Sequence, residues 1–358
     1  MGLVVLCVAI AIEIAIGWRC KLQGDIQAPV SQPADRHAAT AKIKNYFRPE
    51  DDTFLSYPEW YIVWSYQEKA DYQKQHLPSG FPYLGAVRQY WGSYCCISRL
   101  IRGKYPFNLG EQVMLVVIGT SFSAEYILKG AYEKTLGRVS EWTSDNQPTS
   151  EDQFAYSVAR EYAEFVHVRP FYEFHFAEQV RGLWSETGLL GPHFLRKWER
   201  KLFLTADYSI EAFYCWAIEE LTHLSYGFEP SRTYAWIATP QSPTPNLPPH
   251  ANLVKQVGAK ELIVDIPRYQ EFTTVSQTLA SQRTDFIEIA GNSQILISLL
   301  GSADRQQAEN SPQEVFSMPV LTRPGVNRKV YVCNVSKLSD ALREEQGADL
   351  NLEHVYDY

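Results

Sequence analysis

This sequence has fewer positively charged residues than negatively charged ones. Its 33 Lys and Arg residues are outnumbered by 41 Asp and Glu residues, which gives a formal net charge of −8 at pH 7. Binding to the phosphates of DNA or RNA requires a strongly basic surface. The charge balance therefore argues against a general nucleic-acid-binding protein, and no nucleic-acid partner is predicted.

Several motifs of nucleotide and hydrolase chemistry are also missing. The chain has neither a phosphate-binding loop nor a dinucleotide fingerprint. The stretch GTSFS at 119–123 lacks the second glycine of a nucleophile elbow. No complete catalytic constellation is visible, so the sequence predicts no particular catalytic residue and no organic cofactor.

Cysteine is scarce, and its spacing indicates no framework of bridges. The chain has no CxxC pair, and its six cysteines lie at positions 7, 20, 95, 96, 215 and 333. Cys95 and Cys96 are adjacent, and adjacent cysteines rarely bridge each other. We therefore expect most of the six to be small buried residues in a reducing compartment.

Aromatic residues, in contrast, are abundant: 22 Tyr, 17 Phe and 9 Trp. Aromatic side chains with a polar tip suit the boundary between an apolar and a wet region, including membrane interfaces and ligand clefts. They are also ordinary components of a large helical core. One hypothesis is thus a lipid or apolar-ligand site, lined by Trp60, Trp64, Trp91 and Trp216.

The N-terminal stretch 2–18 is apolar apart from Glu13. At 1.5 Å per residue a helix of this length spans about 26 Å, close to the ~30 Å of a hydrocarbon core. Trp18, Arg19 and Cys20 follow in place of a small-residue cleavage site. We predict an uncleaved membrane anchor at 1–20. Arg19 and Lys21 favour the cytoplasmic side for the body over the periplasmic side.

Composition divides the rest of the chain. A polar linker is predicted at 21–42, a helical aromatic-rich domain at 43–237 and a proline-rich linker at 238–258. Within the helical domain, the apolar run 113–118 is too short to span a bilayer and predicts a buried core helix.

The pattern after residue 259 is that of strands and short helices. We predict the order β-α-β-β-(β)-α-β, with a hairpin turn at Gly291 and Asn292. This order is typical of a split βαβ, ferredoxin-like domain at 259–358. No internal repeat is visible, and the predicted fold class is α+β.

Two Glu-x-x-His pairs raise the possibility of a metal site. Residues at i and i+3 share one face of a helix, and ferritin-like di-iron bundles use two such pairs with two further carboxylates. The candidate ligands of iron or manganese are Glu164, His167, Glu220 and His223. Glu125 and Glu211 are the candidates for the lone carboxylates.

Three observations weigh against that metal site. Two such pairs are only mildly unusual in a chain with eight His and many Glu. Glu211 shares a predicted helix with Glu220, whereas a bundle needs it on another helix. Pro170 follows three residues after His167 and disfavours helix at its predecessor. Glu125 also precedes Lys129 by four residues, the favoured order for a helix ion pair.

Four segments carry a resemblance. They are TFLSYPEWYIVWS at 53–65, IGTSFSAEYILKGAYEKTLGR at 118–138, RPFYEFHF at 169–176 and RKWERKLF at 196–203. Together they resemble an uncharacterised family of bacterial membrane-associated proteins. The resemblance covers the helical region. It implies a bacterial origin and membrane association, and it implies no activity and no site residue.

These observations leave three hypotheses of function. The first is a membrane-anchored protein with a non-enzymatic binding or assembly role, through a protein partner or self-association. The second is a helical metal-dependent, di-iron-like oxidative enzyme. The third is a lipid or apolar-ligand binding protein.

Overall fold

The computed structural model describes residues 7, 11, 15, 20–26, 39–225, 232–240, 247–303, 312–345 and 350–358, without the side chains of 221–225 and 345. The predicted anchor lies almost wholly outside the described residues and stays a prediction. Within the described part of the chain, the helix that is long and apolar enough to cross a membrane is Leu109–Trp142, in mid-chain and not at the N-terminus.

The first half of the chain is helical, as predicted. Numbered in chain order, its α-helices are α1 Asp52–Gln73, α2 Tyr83–Ile101, α3 Leu109–Tyr132, α4 Arg138–Trp142, α5 Ser150–Val166, α6 Phe176–Glu186 and α7 Phe194–Ser225. A π-helical turn, Glu133–Gly137, joins α3 to α4, and short 3₁₀ turns lie at Pro78–Gly80 and Phe171–Glu173.

Local signals account for some of these boundaries. Helix α5 begins at a capping box in which Thr149 and Asp152 bind each other's backbone N–H groups. Gly137 lies within the π-helical turn. A Cβ atom there would lie 2.5 Å from Glu133 Oε2. The glycine therefore permits a close approach and does not end the helix.

The apolar run 113–118 does not lie in the core as predicted. Leu115 is fully buried, but Val113, Met114, Val116 and Val117 are exposed. Only 33 % of the apolar window in this helix is buried. The apolar run was too short to distinguish a helix in the core from a helix with an apolar outer face.

The second half of the chain forms two antiparallel four-stranded sheets. The first holds β1 Arg232–Ala238, β2 Asn252–Gln256, β3 Glu261–Pro267 and β4 Asp285–Ile289, in the order β2-β3-β1-β4, with helix α8 Gln270–Ser281. The second holds β5 Gln294–Ser302, β6 Gln313–Pro319, β7 Val326–Asn334 and β8 Asn351–Tyr356, in the order β6-β7-β5-β8, with helix α9 Val335–Glu345.

This region therefore does not form the single ferredoxin-like sheet that the sequence predicted. Strand β1 lies where the sequence predicted the end of the helical domain, and β2 lies within the predicted proline-rich linker. The predicted hairpin at Gly291 is also wrong, because β4 and β5 belong to different sheets. The turn itself is present, with Gly291 at φ +81°, but it leads the chain from one sheet to the next.

The two sheets repeat one topology that the sequence did not reveal. Each half contains two parallel strands joined by a helix, β3-α8-β4 or β7-α9-β8, with an antiparallel strand between them. The split βαβ predicted once thus occurs twice. Helix α9 packs on β4 and α8 packs on β8, and one core contains fully buried residues of both halves, such as Val264 and Ile297.

By internal contacts the chain divides into two units that interleave in sequence. Among the described residues, those of 60–90 and 118–225 belong to the helical unit, and those of 20–59, 91–117 and 232–358 belong to the sheet unit. The boundaries between the units fall inside helices, because α1, α2 and α3 each contribute residues to both units. The domains predicted from composition are, in contrast, contiguous ranges of the chain.

A disulfide within the sheet unit joins Cys20 to Cys96. Residues around Cys20 are held further by Gln23, whose N–H donates to the Val315 carbonyl at 2.8 Å, and by an ion pair of Asp25 with Lys104. The expectation of a reducing compartment is at odds with this bridge, because disulfides persist in oxidising environments. The 76-residue separation of the two cysteines gave no local sign of the pairing.

We expect Cys20→Ser to lower the free energy of unfolding by about 2–4 kcal/mol, because the bridge closes a long loop in the unfolded chain. Denaturant midpoints would measure the loss, and intact mass with and without reductant would count the bridge. Cys95→Ser is the control, because Cys95 is buried, is next in sequence to Cys96 and lies outside the bridge. Equal midpoints for the two variants, or no mass change on reduction, would contradict the bridge.

Candidate functional site

The predicted metal ligands have other partners where the structure describes them. Glu164 is exposed, and its Oε1 lies 3.7 Å from Arg160 Nε. His167 ends α5, and its Nδ1 lies 2.6 Å from the Ala163 carbonyl oxygen, so Nδ1 carries the donated proton. The His167 ring packs on Trp64, with ring centroids 5.2 Å apart.

The second pair is only partly described. Glu220 is exposed, and the His223 side chain lies outside the described residues. Among the side chains that the structure describes, no group of three or more His, Cys, Asp or Glu is placed to hold a metal ion. Metal binding by Glu164, His167, Glu220 and His223 stays a prediction.

The suggested lone carboxylates, Glu125 and Glu211, do lie together, but around an ammonium group. Lys129 Nζ lies 2.8 Å from Glu125 Oε1, 3.1 Å from Asp207 Oδ1 and 3.1 Å from Glu211 Oε1. The predicted helix pair of Glu125 and Lys129 is thereby confirmed. Tyr66 adds a hydrogen bond from its hydroxyl to Glu125 Oε2 at 2.6 Å. One cation from α3 thus joins three carboxylates from α3 and α7.

Charge pairing continues along α7 through the stretch RKWERKLF. Its four cationic residues are almost fully buried: Arg196, Lys197, Arg200 and Lys201. Buried charges require partners, because removing an ion from water is costly unless it is paired and hydrogen-bonded. Nothing local in this stretch of the sequence indicated that its charges are buried.

The two arginines bind acidic residues from other helices. Arg196 Nη2 lies 2.7 Å from Asp152 Oδ1, and Arg200 Nη1 lies 2.7 Å from Glu133 Oε1. Lys197 Nζ lies 3.0 Å from Glu151 Oε1. Because Glu151 and Asp152 lie in the first turn of α5, the helix dipole there also favours their negative charge.

A cavity of about 60 Å³ lies at the centre of these charges. This volume admits about two water-sized molecules. Its walls carry four carboxylates, three cations, four phenols and several apolar groups: Tyr66, Lys69, Gln73, Tyr83, Glu125, Lys129, Glu133, Ala155, Val158, Ala159, Tyr162, Phe176, Arg200, Phe203, Leu204, Asp207, Tyr208 and Glu211. All of them belong to the helical unit.

The environment shifts the pKa values of two of the three carboxyl groups that bind Lys129 in opposite directions. Burial raises the pKa of Glu211 to about 7, and Lys129 only partly offsets that effect. Burial also acts to raise the pKa of Glu125, but Lys129, Lys69 and the hydrogen bonds from Lys129 and Tyr66 hold it below its usual range. Of these two, Glu211 is therefore the carboxyl group that exchanges a proton near neutral pH.

The pKa values of the two lysines of the cavity are also shifted in opposite directions. Burial acts to lower the pKa of Lys129, but Asp207, Glu125 and Glu211 raise it well above its ordinary value. Burial, and then the positive charge of Lys129, lower the pKa of Lys69. No carboxylate of the described chain lies within ion-pair distance of Lys69 Nζ, which instead lies 6.0 Å from the ring centroid of Tyr126.

The helices that carry this charged interior have an apolar exterior. Helix α7 runs antiparallel to the 118–142 part of its neighbour, since Lys129 contacts Glu211 and Glu133 contacts Arg200. Their exposed large side chains form what we call the outer apolar face: Leu128, Leu136, Val139, Trp142, Leu195, Leu202, Ile210, Phe213 and Trp216. The exposed fractions reach 59 % at Leu128, 68 % at Ile210 and 66 % at Phe213.

The four tryptophans suggested for an apolar-ligand site are not in equivalent surroundings. Trp60, Trp64 and Trp91 are buried, whereas Trp216 belongs to the outer apolar face. The ring centroids of Trp60 and Trp64 lie 5.2 Å apart.

Comparison with known proteins adds no functional information. No protein-family model, no curated protein and no solved structure matches the chain.

We expect Lys129→Met to lower the free energy of unfolding by about 3–5 kcal/mol, because three carboxylates whose side chains are only 15–17 % exposed lose their shared cation. Denaturant midpoints at pH 7 would measure the change. The control is Lys134→Met, which removes an exposed charge from the same continuous helix and should change stability by less than about 0.5 kcal/mol. Similar losses in the two variants would mean that the cluster around Lys129 contributes no special stability.

We also expect the titration of Glu211 to make stability fall between pH 4.5 and about 7. In that window the folded protein keeps the proton that the unfolded chain has released, so the unfolding free energy decreases as pH rises. Glu211→Gln cannot titrate, and its stability should decline less over the same window. Unfolding curves at several pH values would compare the slopes. A variant slope as steep as that of the original chain would assign the proton to another group.

Proposed function

We propose that this protein works at a membrane, where its helical unit rests against the bilayer through the outer apolar face and the body has a non-enzymatic binding or assembly role. The observation that carries the proposal is the inverted distribution of charge in two neighbouring helices. Charged side chains of both helices, among them Lys129, Asp207 and Glu211, line the cavity, and the outer apolar face lies on the exposed side of the same helices.

This inversion is opposite to the pattern of a helix at the surface of a soluble protein, where charged residues occupy the exposed face. Between Val113 and Ala131 the exposed positions carry no charged side chain, and Glu125 and Lys129 bind each other inside. Large exposed apolar patches mark contacts with membranes or with other proteins. The arrangement thus supports a lipid-facing or partner-facing surface.

We favour a helical unit that lies on one leaflet of the bilayer over a helical bundle that is surrounded by lipid. Helix α5, in the same unit, exposes Gln153, Ser157, Arg160 and Glu161. Such a polar face is incompatible with a hydrocarbon environment, in which polar groups need internal partners. A unit with one apolar and one polar face suits attachment to one leaflet. The predicted anchor at 1–20 would also hold the protein at the membrane.

The disulfide bears on which side of the membrane the body occupies. A bridge between Cys20 and Cys96 favours an oxidising compartment. Arg19 and Lys21 favoured the cytoplasmic side, but two basic residues are a weaker constraint than a covalent bond that needs oxidation. We therefore place the body outside the cytoplasm.

We expect a fluorophore at position 213 of the full-length protein in liposomes to be quenched by nitroxides on the lipid acyl chains. The same fluorophore at position 157, on the exposed face of α5, is the matched control and should be quenched by aqueous iodide instead. Attachment through a genetically encoded non-cysteine handle leaves the disulfide intact. This comparison separates contact of the helical unit with lipid from tethering by the N-terminus alone.

Two outcomes would contradict the proposal. Quenching of both positions by iodide would mean that the outer apolar face is in water. Protection of position 213 from both quenchers would mean that protein covers the face, and self-association or a partner would replace the bilayer as its occupant.

A further inference from the structure

Lys69 and Lys129 share one cavity but differ in their partners. Lys129 Nζ has three carboxylate oxygens within 3.1 Å. Lys69 has no carboxylate of the described chain within ion-pair distance and has the aromatic ring of Tyr126 as its neighbour. The charge of Lys129 is therefore fixed by its surroundings, whereas that of Lys69 is not.

An amine in such surroundings has the properties of a nucleophile. A lysine is activated when it is desolvated in a poorly hydrated pocket or placed next to another cation, because both effects favour the neutral amine. Lys69 meets both conditions: the cavity is largely lined by aromatic and aliphatic groups, and burial and Lys129 both act to lower its pKa. The carboxylates of Glu125, Asp207 and Glu133 oppose the shift at longer range.

A proton donor lines the same cavity. Glu211 has its carboxyl pKa raised to about 7, mainly by burial, so both its acid and its ionised form are present at neutral pH. The cavity therefore combines an amine, a carboxylic acid and a volume of about 60 Å³.

We propose that Lys69 forms a Schiff base with a small uncharged aldehyde in this cavity. Volume limits the ligand to a few non-hydrogen atoms. Charge also selects against an anion, because the lining contains four carboxylates against three cations. This inference does not depend on contact with the membrane.

The chemistry is balanced without an oxidant or reductant. The Lys69 Nζ lone pair bonds to the carbonyl carbon, and a proton passes from nitrogen to the carbonyl oxygen to give a carbinolamine. Glu211 in its acid form protonates that hydroxyl, which leaves as water. The products are a protonated imine at Lys69, an ionised Glu211 and one water molecule.

Reductive trapping would test this reaction on the full-length protein. Acetaldehyde and cyanoborohydride at pH 7 convert an imine to an ethylated lysine, which peptide mass spectrometry locates. We expect initial labelling of Lys69 to exceed that of the exposed Lys134 severalfold, because burial and the charge of Lys129 lower the pKa of Lys69 and so increase its share of free amine. Lys129 should remain unlabelled, because its ammonium group is held by three carboxylates.

Two further comparisons separate a cavity reaction from general amine reactivity. Glu211→Gln should slow labelling of Lys69 and leave Lys134 unchanged. An aldehyde with a bulky aromatic ring should label Lys134 but not Lys69. Lys69→Arg, which keeps a cation but cannot form an imine, should remove the fast-labelled site.

The proposal fails if Lys69 is labelled no faster than Lys134, or only after denaturation. It also fails if the bulky aldehyde labels Lys69 as readily as acetaldehyde does. Circular dichroism and melting temperature would verify that each variant is folded.

Discussion

The helical unit depends on the mutual neutralisation of buried charges. An unpaired buried cation costs several kcal/mol, whereas a cation with well-placed acceptors is tolerated. Helix α7 buries Arg196, with an exposed side-chain fraction of 0 %, and Arg200 beside it. Asp152 on α5 and Glu133 in the π-helical turn provide their counter-charges. The register of α7 against two other helices is therefore fixed by the pairing of charges as well as by apolar packing.

That pairing also determines the character of the outer surface. Each helix has one set of side chains directed inward, and here the inward positions of α7 are largely taken by charged groups. Apolar residues such as Leu202, Ile210 and Phe213 are then left outside. A protein in water would bury such residues to gain about 25 cal/mol per Å² of apolar surface. Large exposed apolar surfaces of this kind mark contacts with lipid or with other proteins, which links the ion pairs inside to the membrane contact proposed above.

The sequence predicted what depends on neighbours along the chain. The helical first half, the strands near 261–267, 326–334 and 351–356, and the pair of Glu125 with Lys129 were all visible as local patterns. What it missed depends on distant partners. Arg196 meets Asp152 across 44 positions and Arg200 meets Glu133 across 67. Likewise β1 pairs with β4 although two other strands and a helix lie between them in the chain, so no local signal could distribute the strands between two sheets.

The contrast between Lys69 and Lys129 shows why residue type alone could not define the site. Both are lysines on helices of one unit, and neither belongs to a recognisable motif. Three carboxylates stabilise the ammonium form of Lys129, whereas Lys69 has burial and a neighbouring positive charge, both of which favour the neutral amine. Reactivity at this site thus follows from the unequal sharing of counter-charges. The carboxylates that join α3 to α7 through Lys129 form no ion pair with Lys69. One arrangement of charges therefore stabilises the bundle and also leaves the Lys69 amine available for chemistry.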